Sequence, residues 1–520
     1  MNMDDTESCD FFLPDNILEP LFVASGTSVL NKALECLIET AKTSDGRIDL
    51  ASKHILLPVL ELVRYPSQIS VQDLFLSIKL LRNLCAGEIK NQNLFISQNG
   101  VELLSTLVSS GSNNGTLSLV LQVLGNVSLA GEQYCGLVWR QFFPHRFLDI
   151  AKVRSTEACD PLCMVIYTCS EGSNERSAEM YGDSGQQITV EIIRTATIGK
   201  YLVDYKGWLQ KLPLQFDLTT EKQLTFRITK IPEGCFSAKI MSGFRQDWGK
   251  LLLSRICIEE PYFTSIFSKL PEAVETGNSN EKVFLLSILL EILNEQVGDI
   301  VISNDFCLCI FEILKSAVGI VDFGTRGKLP FPTGCTNIDI IGYTLSVLRD
   351  ISARDRKVSN GDKKDDTVDM LVAAGLIKFL INLLREVEPP ALIRRAMMNS
   401  GVKNETRLQN YKCCPYRGFR RDIIAVIANC SYGKKNVQDE IREENGIFLL
   451  LQHCVNDEEN PFLREWGIWL KRTIFSENIE NSLLVADLNL RECADCPEIS
   501  RLGLRVQVDP KTHRLKLVNA

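Results

Sequence analysis

Two stretches near opposite ends of this chain carry the same punctuation in the same register. The first reads Leu81-Arg82-Asn83-Leu84-Cys85-Ala86-Gly87, then Asn91-Gln92, then Asn99-Gly100-Val101 and Leu103-Leu104. The second reads Ile427-Ala428-Asn429-Cys430-Ser431-Tyr432-Gly433, then Asn436-Val437-Gln438, then Asn445-Gly446-Ile447 and Leu449-Leu450-Leu451. In both, 17 residues separate the first asparagine from the glycine of the Asn-Gly pair. Each copy spells a helix end, a turn, a short helix, a second turn and a new helix. Weaker copies lie between them. Leu124-Gly125-Asn126-Val127-Ser128 places its asparagine 43 residues after Asn83, and Leu348-Arg349-Asp350-Ile351-Ser352-Ala353 leads to Ala374-Gly375-Leu376.

A unit of this size cannot bury its own apolar face, so it must stack on its neighbours. Periods of about 40–47 residues are those of armadillo and HEAT repeats. The predicted fold class is therefore all-α: a right-handed α-solenoid of armadillo/HEAT-like repeats, with an irregular β-prone insertion and a small C-terminal β-hairpin. The expected segments are 1–197 (N-terminal repeats), 198–242 (insertion), 243–400 (middle repeats) and 401–520 (C-terminal domain).

Helical periodicity is read at 28–43, 54–64, 248–258, 281–296, 305–318 and 339–351. Pro58 falls inside the second pattern, so that helix starts there or kinks. The insertion differs in kind. Lys200-Tyr201-Leu202-Val203, Leu214-Gln215-Phe216-Asp217-Leu218 and Leu224-Thr225-Phe226-Arg227-Ile228 alternate like short strands, and Pro213 and Pro232 punctuate them. A functional insert, an irregular loop and translated non-coding sequence all remain open for it. Leu504–Asp509 and Arg514–Val518 alternate about Pro510-Lys511-Thr512-His513, a hairpin signal.

The strongest aromatic cluster is Asn460-Pro461-Phe462-Leu463-Arg464-Glu465-Trp466-Gly467-Ile468-Trp469-Leu470. Asn460 reads as a helix cap and Pro461 as the first helical residue. Phe462, Trp466, Trp469 and Leu470 then share one face, which is expected to be core, and Ser476-Glu477-Asn478-Ile479-Glu480 reads as the cap and first turn of a helix reaching about Leu488.

Candidate chemistry is sparse. Asn83, Asn126 and Asn429 sit where peptide-binding armadillo arrays carry a ladder of groove asparagines. An asparagine at a helix end also bonds local backbone, and no tryptophan lies four residues upstream of any of the three. His54, His145, His453 and His513 form no ligand-spaced pair. Cys493-Ala494-Asp495-Cys496 has metal or redox spacing but no second pair follows, and Cys413-Cys414 suits neither a tetrahedral site nor an ordinary disulfide. No phosphate-cradling glycine motif or nucleophile elbow appears. No catalytic residue, metal ligand or cofactor is expected, and the 18 cysteines read as reduced core residues.

A formal charge of −8 argues against general nucleic-acid binding. Met1 is followed by Asp4, Asp5 and Glu7, unlike a secretory signal, and no apolar run reaches the ~18–20 residues of a membrane span. A soluble cytoplasmic protein is expected.

The combination of Gly433, Asn436-Val437-Gln438-Asp439, Asn445-Gly446-Ile447 and Asn460-Pro461-Phe462-Leu463-Arg464-Glu465-Trp466 resembles the C-terminal domain of the ataxin-10 family. Asp247-Trp248-Gly249-Lys250-Leu251-Leu252 and Arg82-Asn83-Leu84-Cys85-Ala86 also resemble that family. Residues 198–242 have no counterpart in it. The resemblance implies a non-enzymatic armadillo-type scaffold in the cytosol, able to self-associate, with links to cytokinesis, cell survival and signalling. It implies protein partners that include a heterotrimeric G-protein β subunit and the O-linked N-acetylglucosamine transferase. The alternative reading is an importin-like armadillo receptor for extended peptide cargo.

Overall fold

A computed structural model describes residues 28–109, 111, 113–202, 248–272, 279–295, 300–321, 323, 329–354, 367–399, 411–487, 504–508 and 515–519. The chain divides into two units, Met1–Ile256 and Cys257–Ala520.

In the first unit the same plan recurs. Helices α1 (Ser28–Thr40), α2 (Ser44–Ser52) and α3 (Leu56–Arg64) lead into α4 (Val71–Leu84). Next, α5 (Ile89–Ser97) and α6 (Gly100–Ser109) lead into α7 (Asn114–Ser128), and α8 (Glu132–Phe142) and α9 (His145–Lys152) into α10 (Thr156–Ser170). Then come α11 (Asn174–Tyr181), α12 (Asp183–Leu202) and α13 (Trp248–Leu253). The helices α1, α4, α7, α10 and α13 pack each on the next as one layer. A second layer runs α3, α6, α9 and α12, again each on its successor. The core lies between them, with Leu80, Leu81, Leu84, Val120, Leu121, Val123 and Leu124 fully buried.

Local chemistry explains why each repeat starts and stops where it does. Ser70, Asn113 and Ser155 cap α4, α7 and α10, each side chain accepting a first-turn N–H. Just past the far end of the same three helices, Gly87, Gly131 and Gly172 all have positive φ. Only glycine takes that conformation without strain, so these glycines set the reversal into the next repeat. Pro58 falls in the first turn of α3, which begins at Leu56, and there its missing donor is harmless.

The second unit continues with α14 (Phe263–Lys269), α15 (Asn280–Glu295), α16 (Asn304–Ile320) and α17 (Thr336–Arg354). After these come α18 (Thr367–Ala373), α19 (Leu376–Glu386), α20 (Ala391–Asn399), α21 (Phe419–Ser431), α22 (Lys435–Glu443), α23 (Ile447–Leu451), α24 (Leu463–Phe475) and α25 (Ile479–Asp487). Here α15, α17, α21 and α24 form the successive long layer. Strands Leu504–Val508 and Leu515–Asn519 pair antiparallel, with Val506 opposite Leu517. The described residues are otherwise predominantly helical, so the fold is all-α in its body.

Two expectations change. Lys200-Tyr201-Leu202, read as the start of a strand, continues the helix Asp183–Leu202; the rest of that stretch, 203–242, lies outside the described residues. The helix expected from Pro461 begins at Leu463. Within the expected cap segment 476–480, Asn478 caps α25, its Oδ1 accepting the Asn481 N–H at 3.0 Å. No single described helix is long and apolar enough to cross a membrane.

Candidate functional site

The repeat asparagines connect layers. Asn83 Nδ2 donates to the Ile38 carbonyl oxygen at 3.3 Å, Asn126 Nδ2 to that of Arg82 at 2.8 Å, and Asn429 Nδ2 to that of Arg349 at 3.0 Å. Each bond ties a long helix to the long helix before it. Each bond therefore takes one of the two amide N–H donors that a groove ladder would offer to a peptide. Asn429 is buried, while Asn83 and Asn126 are half-buried.

A second recurring device escaped the sequence reading. Carbonyls in the last turn of a helix lack intrahelical donors. In this protein a side chain seven residues downstream, on the next short helix, repeatedly supplies one. Gln92 Nε2 donates to the Cys85 carbonyl at 2.9 Å, Gln438 Nε2 to that of Ser431 at 3.2 Å, and Asn481 Nδ2 to that of Ile474 at 2.9 Å. Cys135 Sγ does the same for Ser128 at 3.2 Å, and Ser177 Oγ for Ser170 at 3.0 Å. Gln92 and Gln438 reach further, to the Asn126 and Thr473 carbonyls, both at 2.9 Å. The signal was present in the equivalent spacing of Asn83 to Gln92 and Asn429 to Gln438.

On the outward side of α4 a half-buried stripe runs through Phe75, Lys79, Arg82 and Asn83; on α7 it continues through Gln122 and Asn126. Arg82 anchors it. Its Nε and Nη2 donate to Asn83 Oδ1 at 3.1 and 2.8 Å, and its Nη1 donates to Gln122 Oε1 at 3.0 Å.

The aromatic motif of the C-terminal region is built differently from expectation. Asn460 is buried and does not cap its own helix. Its Oδ1 accepts the Arg420 N–H at 2.9 Å, in the first turn of α21, whose own cap residue is Gly418 and has no side chain to offer. Its Nδ2 donates to Asp457 Oδ2 at 3.0 Å. Arg420 is almost wholly buried; its Nη1 donates to the same Asp457 oxygen at 2.7 Å, and its Nε and Nη2 to the Glu388 carbonyl at 3.0 and 2.6 Å. One guanidinium and one amide thus fasten α21, the loop before α24 and the segment after α19.

Pro461 is half-buried, and Phe462, with a left-handed φ of 66°, precedes α24 as its cap residue. The buried face of α24 is Leu463, Gly467, Leu470, Thr473 and Ile474. Phe462, Arg464 and Glu465 are exposed, and Trp466 and Trp469 are half-buried at the rim, Trp469 stacking on Tyr432 at 5.6 Å. The aromatic residues were expected in the core. Gly467 displaces them because α24 crosses the turn after α23 so closely that a Cβ there would fall inside contact distance of the His453 carbonyl oxygen. A glycine-centred face must turn the larger neighbours outward.

Among the described residues no three His, Cys, Asp or Glu side chains are grouped as metal ligands would be. His453 is buried, donates from Nδ1 to the Leu449 carbonyl at 2.9 Å, and has its pKa lowered by burial to about 4. His54 and His145 lie elsewhere in the chain, and His513 and Cys493–Cys496 lie outside the described residues. Burial pushes the Cys85 and Cys414 thiols up to about 12, which keeps them protonated and unreactive. Cys413 is half-buried and Cys414 buried, both as free thiols.

Comparisons with known proteins agree with this C-terminal construction. Residues 419–518 match the family described as spinocerebellar ataxia type 10 protein domain. The chain is 30% identical over 463 residues to ataxin-10 of Pongo abelii, covering 85% of this chain and 83% of that protein. To ataxin-10 of Bos taurus it is 22% identical over 466 residues, with coverage of 85% and 83%. The ataxin-10 homolog of Dictyostelium discoideum is 38% identical over 92 residues, covering 18% of this chain and 15% of that protein. With a relative at that identity spanning most of both chains, this protein belongs to the ataxin-10 family.

Proposed function

We propose that the chain is a non-enzymatic, armadillo-type α-solenoid scaffold that holds protein partners on the outward face of its long helices. The observation that carries this reading is the continuous stripe of half-buried polar and aromatic side chains on α4 and α7, set on helices already cross-linked by Asn83 and Asn126. A surface fixed by inter-layer bonds binds without first having to order itself. Family membership supports the cytosolic location, self-association and the links to cell division and signalling, with a G-protein β subunit and the O-linked N-acetylglucosamine transferase as partner candidates.

The importin-like reading is less well supported. It needs a tryptophan one turn before each ladder asparagine, and Lys79, Gln122 and Ala425 stand there. It also draws on the asparagine amides, each of which already gives one donor to a neighbouring carbonyl.

Affinity purification with quantitative mass spectrometry tests the scaffold reading, each captured protein being remixed in purified form with the purified chain. Direct binding of at least one captured protein is the expected result. Capture that never reproduces with purified components would overturn it.

A further inference from the structure

Among the described residues, neutral groups alone hydrogen-bond the guanidinium of Arg82. Asn83 Oδ1 and Gln122 Oε1 accept three of its N–H donors. Gln122 is itself oriented, its amide donating to Ser118 Oγ at 3.2 Å, while Ser118 donates to the Glu157 carbonyl at 3.0 Å. Asn126 fixes the Arg82 backbone from the other side. A guanidinium has five N–H donors, so after these three bonds two remain for a ligand. Burial lowers the pKa of Arg82, and no neighbouring carboxylate acts in the other direction. A positive charge drawn out of water without a counterion gains doubly from an incoming anion: the pair attracts more strongly there, and the unmet donors are filled.

The surroundings say which anion. Lys79 lies on the same stripe three residues away, half-buried, and adds a second cation. Phe75 lies one turn further, its ring close over Gly115 of α7, so that an apolar surface adjoins the two cations. On the flanking layers acidic residues outnumber basic ones, with Glu35 and Glu39 against Lys32 on α1 and Glu157 and Asp160 on α10. Glu35 is exposed on α1, and Asp160 on α10 accepts the Gly249 N–H at 3.4 Å. These carboxylates would repel an anion placed one layer to either side, which leaves the α4–α7 pair as the register that accepts it.

We propose that the α4–α7 face receives an extended acidic peptide segment of a protein partner, with an Asp or Glu carboxylate on Arg82 and an apolar neighbour against Phe75. This rests on the scaffold reading and names the partner chemistry for it. Helix layers stand ~10 Å apart and an extended chain rises ~3.3 Å per residue, so a segment crossing from α1 to α10 needs about nine residues.

The test is fluorescence anisotropy on the full chain with labelled peptide pools of about that length. One pool carries Glu at its central positions, one Gln and one Lys, with Ala, Leu and Ser elsewhere. The Glu pool is expected to bind more tightly than the other two, and to weaken as salt is raised. Arg82→Gln should weaken it by about tenfold or more, whereas Arg82→Lys, which keeps the charge, should retain most of it. Both substitutions remove the planar fork to Asn83 and Gln122, so a purely structural role would make the two variants equally weak. Equal weakening, or a Glu pool no tighter than the Gln pool, overturns the proposal. Partners captured equally by the unaltered chain and by Arg82→Gln would also overturn it while leaving the scaffold reading intact. If even the unaltered chain binds no purified partner, it is the scaffold reading that fails.

Discussion

Arg82 and Arg420 both lie on long helices of the repeat, and both are drawn out of water, yet their surroundings differ in one respect. Arg420 meets Asp457 at 2.7 Å inside the fold, and gives two further bonds to the Glu388 carbonyl and one to that of Pro389 at 3.5 Å. Among the described residues, the Arg82 guanidinium bonds only to side-chain amides. The same repeat chemistry therefore serves two ends. Where the chain supplies its own carboxylate, the arginine becomes a cross-link and the junction is sealed. Where it supplies neutral acceptors, the arginine is positioned but not neutralised, and the junction stays open to a carboxylate from elsewhere.

The comparison can be broken most sharply by removing a partner from the sealed pair. Asp457→Asn or Arg420→Met leaves one buried charge uncompensated and should cost about 3–5 kcal/mol. Denaturant unfolding monitored on the C-terminal unit measures it. The matching change at the open site, Arg82→Met, should cost less, about 1–2 kcal/mol, since the bonds lost there run to neutral acceptors and no opposite charge is left behind. Equal costs at the two sites would erase the distinction.

A pH titration sharpens it next. His453 is neutral and buried beneath α24, and its folded pKa of about 4 lies below the ordinary value of 6.5. Protonation therefore favours the unfolded chain. Stability is fully present above pH 6.5, falls as the pH drops, and levels off near pH 4, with a total loss of roughly 3 kcal/mol. His453→Gln should flatten that slope in the C-terminal unit; a slope that persists in this variant assigns the acid sensitivity to other groups.

Packing gives a smaller effect. Gly467→Ala drives a methyl group into the His453 carbonyl and should cost about 1–3 kcal/mol, against a few tenths for Ala at an exposed position such as Ile468. The smallest difference concerns the ladder. Asn429→Ala, at a buried site, should cost more than Asn126→Ala, at a half-buried one, with both near 1–2 kcal/mol by thermal melting. Identical losses would mean that exposure does not modulate these bonds.

How far the sequence carries can be judged from particular residues. The repeat was legible because its punctuation is local. Asn99 and Asn445 of the two Asn-Gly turns share a left-handed φ, at 55° and 53°, and Gly87 and Gly433 share a positive φ, at 71° and 68°. Conformations that few residue types tolerate leave marks in sequence. The aromatic motif misled for the opposite reason. Periodicity places Phe462, Trp466 and Trp469 on one face, but it cannot say which face is inside when a glycine on the other face permits closer approach. Asn460 misled similarly: its partner is the Arg420 amide, forty residues earlier, and no local rule connects them. Arg82 was noted only as part of a repeat. Its isolation from carboxylates depends on which residues α7 brings alongside, and that is a property of the packed layers.

The most direct test of this account concerns Asn460, the residue on which the sealed junction and the family motif meet. Native-state amide hydrogen exchange on the full chain should be compared with that of Asn460→Ala. We predict faster exchange at the Arg420 amide and in the first turn of Phe419–Ser431, with Val71–Leu84 and Asn114–Ser128 unchanged. Unchanged protection at Arg420, or loss confined to the first turn of Leu463–Phe475, would contradict the account, because Asn460 would then be the local cap that its sequence position suggests.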